Sequence, residues 1–326
     1  MCTSGTTGKP KGAMITEENL VTNLNDISEY FKLSPEDHIL IARPLYHCAV
    51  LTGEFLISLL KGVKITFFPE EFSPIQVLKN AKANKITVMC GTPTILYHLS
   101  LMNLKLNEPL KLGSIVVSGE CMTETVAQKL RQAFQNADIY NVYGLTEASP
   151  RVAYLPPEDF DAHPLSVGFP PSSVKTVICD HQLLVSGKSV MKGYYNDSIA
   201  TNQAKKYGWL HTGDIAQKDK AGRLYIKGRK DHMIIRAGMN IYPQEIENAL
   251  MENEEIQDVL VYGVKSAMIS EKIHLQVVTS LCAEEIFDLC RQKLPSYELP
   301  DAIEIVDEIP KNASGKVIRP RIEKEP

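Results

Sequence analysis

Short apolar runs alternate with helical patterns through the first half of the chain, and this alternation restricts the possible folds more than any other feature. Five strands are predicted, at residues 39–43, 63–68, 86–90, 114–118 and 139–142. Helical patterns fit between them, and another at residues 16–31 precedes them. Such a βαβ rhythm favours an α/β fold with a mostly parallel sheet covered by helices. Ligand-binding loops in these sheets follow the carboxyl ends of the strands.

The character of the sequence changes twice after this region. From about residue 156 to residue 230, short strands separated by Gly, Pro, Asn and Asp predict a β-rich subdomain. Residues 231–326 mix helical and strand patterns, which predicts a small α+β domain. Residues 1–230 carry 25 basic and 21 acidic side chains, whereas residues 231–326 carry 10 and 18. This change of sign supports a boundary near residue 230, after a multi-subdomain α/β body.

The composition argues against several classes of protein. The 326 residues are 44% hydrophobic and 23% charged, with a net charge of −4, which is typical of a globular chain of about two domains. The balance of charges provides no broad cationic surface for nucleic acid. The longest apolar runs are far shorter than the ~18 residues of a membrane span. Seven scattered cysteines predict neither a disulfide framework nor a zinc site, so we expect a reducing cytoplasm.

A loop rich in glycine and hydroxyl residues lies at the start of the chain. It contains Thr3, Ser4, Gly5, Thr6, Thr7, Gly8 and Lys9. Hydroxyl donors, accessible backbone N–H groups and a lysine suit a polyphosphate, although a flexible turn is the alternative. The loop fails the Walker pattern, because Thr3 replaces its first glycine and Pro10 replaces its magnesium-binding hydroxyl. We expect a strand before such a loop and the 16–31 helix after it, and we expect that an N-terminal segment is missing.

Six further motifs follow the loop in order. They are Pro44-Leu45-Tyr46-His47, Ser118-Gly119-Glu120, Tyr143-Gly144-Leu145-Thr146-Glu147, Trp209-Leu210-His211-Thr212-Gly213-Asp214, Gly228-Arg229-Lys230-Asp231 and Pro310-Lys311-Asn312-Ala313-Ser314-Gly315-Lys316. Together with the loop, this ordered set resembles the adenylate-forming superfamily of acyl-CoA synthetases, luciferases and peptide-synthetase adenylation domains. The resemblance extends from the first motif to the last.

The resemblance implies a reaction in two steps. A carboxylate attacks the α-phosphate of ATP to give an acyl-adenylate and pyrophosphate, and a thiol then displaces AMP. Because both first reactants are anions, Mg²⁺ and positioned cations are needed to neutralise charge and align the groups. CoA is the expected thiol, with a carrier-protein phosphopantetheine as the alternative. A truncated nucleotide-binding module without turnover is a further alternative.

The same resemblance implies a nucleotide site. Its residues are Thr3, Ser4, Gly5, Thr6, Thr7, Gly8, Lys9, Gly119, Glu120, Tyr143, Gly144, Asp214 and Arg229. In this interpretation the loop binds the β- and γ-phosphates, and Tyr143 stacks on adenine. Asp214 accepts hydrogen bonds from the ribose hydroxyls, as suits a carboxylate, and Arg229 approaches the same ribose.

Further residues are implied in catalysis and in domain motion. Lys316 resembles the lysine that bridges the carboxylate and the α-phosphate. Thr146 would contact the α-phosphate, and Glu147 would hold Mg²⁺ through oxygen contacts. Asp231 matches the hinge on which the small domain, residues 231–326, swings as a mobile lid. Gly238 matches the glycine beside which a pantetheine arm passes.

The acid itself is less defined by the sequence. His47 matches an aromatic or histidine gate between the acyl pocket and the thiol tunnel. The residues expected near the acid are Tyr46, His47, Val50, Ser118 and Ala148. Since these are mostly apolar and small to medium in size, they favour an aryl or a short-to-medium acyl acid. No aspartate is placed to bind an α-amino group, so an amino-acid substrate is not expected.

Overall fold

A computed structural model describes residues 1–3, 11–68, 73–253, 255–266 and 270–310, together with Val317 and Arg319. Contacts divide the chain into two compact units, which are Met1–Thr212 with Ala216–Ile226, and Gly213–Ile215 with Lys227–Pro326. Apart from Gly213–Ile215, which group with the second unit, the division falls between Ile226 and Lys227. The boundary near residue 230 and the mobility of the C-terminal part stay predictions.

The helices and strands have the following bounds. The helices are α1 (Glu17–Tyr30), α2 (Cys48–Val50), α3 (Ile57–Lys61), α4 (Pro74–Ala83), α5 (Pro93–Leu104), α6 (Glu124–Ala133), α7 (Pro157–Phe160), α8 (Ser198–Ala204), α9 (Pro243–Leu250) and α10 (Ala283–Lys293). The strands are β1 (Cys2–Thr3), β2 (Lys11–Met14), β3 (His38–Ile41), β4 (Lys64–Phe67), β5 (Val88–Gly91), β6 (Ser114–Ser118), β7 (Asp138–Gly144), β8 (Arg151–Leu155), β9 (Val174–Cys179), β10 (Gln182–Gly187), β11 (Gly193–Tyr194), β12 (Lys205–Lys206), β13 (Trp209–Lys218), β14 (Leu224–Arg229), β15 (Ile234–Arg236), β16 (Met239–Ile241), β17 (Ile256–Ser266), β18 (Ser270–Thr279) and β19 (Ala302–Ile305). No described helix is both long enough and apolar enough to cross a membrane.

The first unit is built on a six-stranded sheet in the order β4-β3-β5-β6-β7-β8. Neighbouring strands are parallel from β4 to β7, and β8 is antiparallel to β7. Side chains alternate between two hydrophobic cores: Val117 packs with α4, α5 and α6, whereas Val116 packs with α1 and α3. Burial on both faces explains the continuous apolar runs of these strands. The predicted α/β fold is confirmed.

Helix α1 shows how the local sequence sets the bounds of an element. The Thr16 hydroxyl accepts a hydrogen bond from the Asn19 N–H (3.2 Å), and the Asn19 side chain accepts one from the Thr16 N–H (2.8 Å). This capping box satisfies two N–H groups that the first helical turn leaves unpaired. The helix predicted at residues 16–31 is confirmed.

At the start of the chain β1 precedes the loop and α1 follows it, but a strand that was not predicted, β2, lies between the loop and α1. Strand β2 pairs antiparallel with β1, with Thr3 opposite Lys11, and also with β11. A four-residue strand of Lys, Gly, Ala and Met has no strong β-propensity. It is stabilised instead by its two neighbouring strands and by burial of Ala13, which is 2% exposed.

A second sheet follows in the order β12-β13-β10-β9, with β14 also paired to β13. Strands β9 and β10 form a hairpin whose two turn residues, Asp180 and His181, have positive φ angles of 47° and 62°. Positive φ at both central residues matches the twist of a two-residue hairpin. The short strands predicted in this region are confirmed.

The second unit contains a smaller sheet in the order β16-β15-β18-β17, with β19 parallel to β18. Helices α9 and α10 contribute Ile246 and Ile286 to its hydrophobic core, and both side chains are fully buried. Strands β17 and β18 pair over most of their length. The predicted α+β character of this part is confirmed.

Candidate functional site

Two predicted site segments lie at the carboxyl edge of the six-stranded sheet. Gly119 and Glu120 follow β6, and Tyr143 and Gly144 end β7. Gly119 has a φ of +102°, a conformation that side chains disfavour. The Glu120 carboxylate accepts a hydrogen bond from the Thr94 hydroxyl (2.8 Å), which links this segment to α5. The edge is where open α/β sheets bind ligands.

Gly144 lies in a position that excludes any side chain. A Cβ at this residue would overlap the carbonyl oxygen of Pro150, because the chain turns back closely to form β8. The Leu145 N–H donates to the same oxygen (2.9 Å). Tyr143 beside it is partly buried against the core of the second sheet. The close return of the chain therefore fixes the backbone that carries Tyr143 and Thr146.

Glu147 is held by a residue that the sequence analysis did not identify. It lies in a single 3-10 turn with Thr146, and its Oε1 accepts a hydrogen bond from the Tyr194 hydroxyl (2.7 Å). The Lys11 ammonium lies 5.1 Å from the centre of the Tyr194 ring. Tyr194 belongs to β11, which pairs with β2. No motif signals its role, since it follows an ordinary glycine far along the chain.

Asp214 and Arg229, which were both predicted at the ribose, contact one another in the second unit. Arg229 Nη1 donates to Asp214 Oδ1 at 3.1 Å, and its Nη2 lies 3.6 Å from Asp231 Oδ2. Gly213 has a φ of +74°, and a Cβ there would lie 2.8 Å from the Arg229 guanidinium. The positive φ favours glycine at this position, and a side chain here would also displace the Arg229 guanidinium. The predicted hinge, Asp231, is mostly exposed in a 3-10 turn.

Gly238 occupies the tight turn between β15 and β16. Ala237 and Gly238 have φ angles of +49° and +82°, and Arg236 is opposite Met239 in the hairpin. This turn chemistry explains the glycine without a ligand. Among the described residues, no atom lies within 4 Å of the position that a Cβ at Gly238 would take. A role beside a pantetheine arm stays a prediction.

His47 precedes α2 and lies near a set of buried charges. Burial lowers the pKa of His47, and the charge of Arg43 lowers it further. Arg43 Nη2 donates to Glu54 Oε1 at 2.6 Å, and the Glu54 side chain is fully buried in a π-helix at Leu51–Leu56. The sequence analysis identified neither Arg43 nor Glu54. Of the residues expected near the acid, Val50 and Ala148 are fully buried in hydrophobic cores.

Several predicted site residues lie outside the described residues. They are Ser4, Gly5, Thr6, Thr7, Gly8, Lys9 and Lys316. Thr3 is described, and its hydroxyl accepts a hydrogen bond from the Lys11 N–H (3.3 Å) between β1 and β2. The first unit brings Gly119, Glu120, Tyr143, Gly144, Thr146 and Glu147 to one sheet region, and the second unit pairs Asp214 with Arg229. The remaining assignments stay predictions.

Two family models match the chain. Residues 1–195 match the AMP-binding enzyme family, and residues 245–316 match the AMP-binding enzyme C-terminal domain. The chain belongs to the AMP-binding enzymes. The family predicted from the ordered motifs is thereby confirmed.

Relatives of this AMP-binding chain include a long-chain-fatty-acid–CoA ligase of Escherichia coli O6:H1. It is 33% identical over 97% of this chain, which spans 59% of that relative. O-Succinylbenzoate CoA synthetase of Bacillus subtilis, solved with the acyl-adenylate intermediate, has a TM-score of 0.88 and 29% identity over 98% of this chain and 67% of its own. The same synthetase with ATP and magnesium has a TM-score of 0.87 and 30% identity, over 98% of this chain and 68% of its own.

Proposed function

We propose that this chain acts in an ATP-dependent acid–thiol ligase, which forms an acyl-adenylate and then an acyl thioester. The observation that carries this proposal is the match of both AMP-binding models, one to each end of a chain similar to CoA ligases. Because the chain spans 59% of the first relative, the activity is proposed for the whole protein.

In this proposal the described residues bind and orient ATP. Tyr143, at the carboxyl end of β7, stacks on the adenine. Asp214 accepts hydrogen bonds from the ribose hydroxyls, and the Arg229 guanidinium at 3.1 Å holds its carboxylate in place. The Thr146 hydroxyl donates a hydrogen bond to the α-phosphate. Fixed positions of this kind reduce the entropy lost when two anionic reactants meet.

Glu147 suits a magnesium ion. Mg²⁺ prefers oxygen ligands and is usually bound by one or two carboxylates together with phosphates and water. Within the part of the chain that the structure describes, no group of three or more His, Cys, Asp or Glu side chains forms a metal site. The Glu147 carboxylate suits an ion of this kind that is shared with the nucleotide. When bound, the ion supplies positive charge that offsets the charge on the phosphates.

The second step needs a thiol, and CoA is the acceptor we propose. The names of the relatives support this choice, because they are CoA ligases and CoA synthetases. Asp231 acts as the hinge and Gly238 lies beside the pantetheine arm, whereas Lys316 serves only the first step. A phosphopantetheine carried by a protein has the same reactive thiol, so a direct comparison of the two acceptors decides between them.

Acid-dependent exchange of labelled pyrophosphate into ATP tests the first step. We expect exchange in the wild-type protein, and we expect Lys316→Ala to abolish it while ATP still raises the melting temperature. Lys220→Ala is the matched control, because Lys220 is an exposed lysine in a turn. Normal exchange by Lys316→Ala would show that the assigned role is wrong. Stabilisation by ATP without exchange would instead support a nucleotide-binding module without turnover.

A further inference from the structure

Two arginines and one glutamate form a buried charged cluster in the first unit. Glu54 is fully buried and Arg151 is 2% exposed, whereas the Arg43 side chain retains 11% of its surface. Arg43 Nη2 donates to Glu54 Oε1 (2.6 Å). A Cβ at Gly53 would overlap the Arg151 guanidinium, so only glycine lets this arginine lie against the π-helix.

The cluster lies at the ligand-binding edge of the sheet. Arg43 follows the carboxyl end of β3, and its two terminal nitrogens each lie 3.4 Å from the Ser118 hydroxyl at the end of β6. Arg151 begins β8, which is antiparallel and therefore starts at the same edge. Ser118 directly precedes Gly119 of the predicted nucleotide site. The charges are thus adjacent to the place where an acid must meet ATP.

The charges of the cluster do not balance. Glu54 is the one carboxylate among the described residues that is buried with the two guanidinium groups, so a positive charge remains in excess. The neighbouring Cys48 and Cys90 thiols stay neutral, because burial raises their pKa, to about 11 for Cys48. Within the described residues, Nε of each arginine and Oε2 of Glu54 are buried without a hydrogen-bond partner. An uncompensated buried charge is costly, which points to an anionic ligand.

We propose that the acid substrate carries a second carboxylate, and that this distal group binds to the guanidinium groups of Arg43 and Arg151. The inference rests on the proposed function, because that function places a carboxylic acid at this edge. Arg43 retains exposed surface and contacts the ligand first, while the buried Arg151 adds a second positive charge behind it. Because Glu54 pairs with Arg43, a hydrocarbon tail here would leave Arg151 without a carboxylate partner among the described residues. The class of substrate is therefore a dicarboxylic acid.

The substrate specificity of the wild-type protein tests this inference directly. Pyrophosphate exchange is measured with a homologous series of linear diacids, and for each with its monomethyl ester and the monocarboxylic acid of equal length. We expect the diacid to exceed both neutral-ended acids by about 100-fold in specificity constant, since a buried ionic partner is lost. Equal or better exchange with the neutral-ended acids would overturn the inference while leaving the ligase function intact. Absence of exchange with every acid would overturn both.

Substitutions of the two arginines test whether these residues cause the preference for diacids. Arg43→Met and Arg151→Met should lower the diacid preference to a few-fold, mainly by raising KM for the diacid. Arg131→Met is the control, because Arg131 is a partly exposed arginine on α6 that pairs with a carboxylate, Asp161 (2.7 Å). If a variant fails to fold, the panel of acids measured with the wild-type protein still tests whether the substrate is a dicarboxylic acid. If both arginine variants fold and keep the full diacid preference, the assignment to these residues is wrong.

Discussion

The phenolic hydroxyl of Tyr194 donates a hydrogen bond to Oε1 of Glu147 across 2.7 Å. The two residues are far apart in sequence, and they are brought together because β11 pairs with β2 beside the 3-10 turn that carries Glu147. The Met191 N–H also donates to the Glu147 carbonyl (2.8 Å). Both the backbone and the carboxylate of Glu147 are thus oriented before any ligand binds.

Tyr194→Phe should weaken magnesium-dependent nucleotide binding while leaving the fold intact. The change removes one hydrogen bond to a carboxylate, so we expect about a tenfold rise in the Mg²⁺ concentration that supports half-maximal ATP binding. Titration calorimetry at several magnesium concentrations measures this shift. Tyr207→Phe is the control, because the Tyr207 side chain is fully exposed. An unchanged magnesium dependence in Tyr194→Phe would show that the hydrogen bond has no role in orienting Glu147.

Asp214→Asn should reduce ATP affinity by about tenfold, because the ribose hydroxyls lose a charged acceptor. Asp219→Asn is a matched control, since Asp219 also pairs with an arginine, Arg223, at 2.8 Å, and lies in the turn between β13 and β14. Competition between ATP and a fluorescent nucleotide measures both affinities. Equal losses of ATP affinity in the two variants would mean that the Asp214 substitution affects only the stability of the protein.

Gly144→Ala should destabilise the protein by about 3 kcal/mol or more, because the new methyl group overlaps the Pro150 carbonyl. Among the described residues, the same substitution at Gly113 meets only the Thr87 carbonyl oxygen, at 3.6 Å, so Gly113→Ala should cost about 1 kcal/mol or less. Urea denaturation compares the two variants. A Gly144→Ala variant as stable as Gly113→Ala would contradict the close return of the chain at this turn.

Cysteine reactivity should follow burial and pKa. Cys282, at the start of α10, is exposed, whereas Cys290 within α10 is buried and burial raises its pKa to about 11. Because the thiolate is the reactive form, a maleimide should label Cys282 rapidly and Cys290 only after unfolding. Peptide mass spectrometry after timed labelling separates the two sites. Comparable native labelling rates would contradict the packing of α10.

The sequence predicted the elements whose signal is local. The strands of the six-stranded sheet are continuous apolar runs, and α1 has its capping residues Thr16 and Asn19 in place. These features depend on neighbouring residues, so a single sequence reveals them. Strand β2 was missed because its stability comes from β1 and β11 on either side.

The contacts of the site could not be predicted in the same way. Tyr194 approaches Glu147 only after the strands have paired, and Arg151 approaches Arg43 and Glu54 only after β8 has returned beside β7. The residue types alone do not distinguish these residues from other residues of the chain. The motifs identified Asp214 and Arg229 individually, and the structure added that the two form an ion pair.

The fate of one oxygen atom tests the central claim most directly. The acid is labelled with ¹⁸O in its carboxylate, the reaction is run with ATP and CoA, and the AMP is analysed by mass spectrometry. Attack of the carboxylate on the α-phosphate transfers one labelled oxygen to AMP when the thiol displaces it, so we predict one ¹⁸O atom in each AMP. Label in phosphate or pyrophosphate, or unlabelled AMP formed with the thioester, would contradict an acyl-adenylate intermediate.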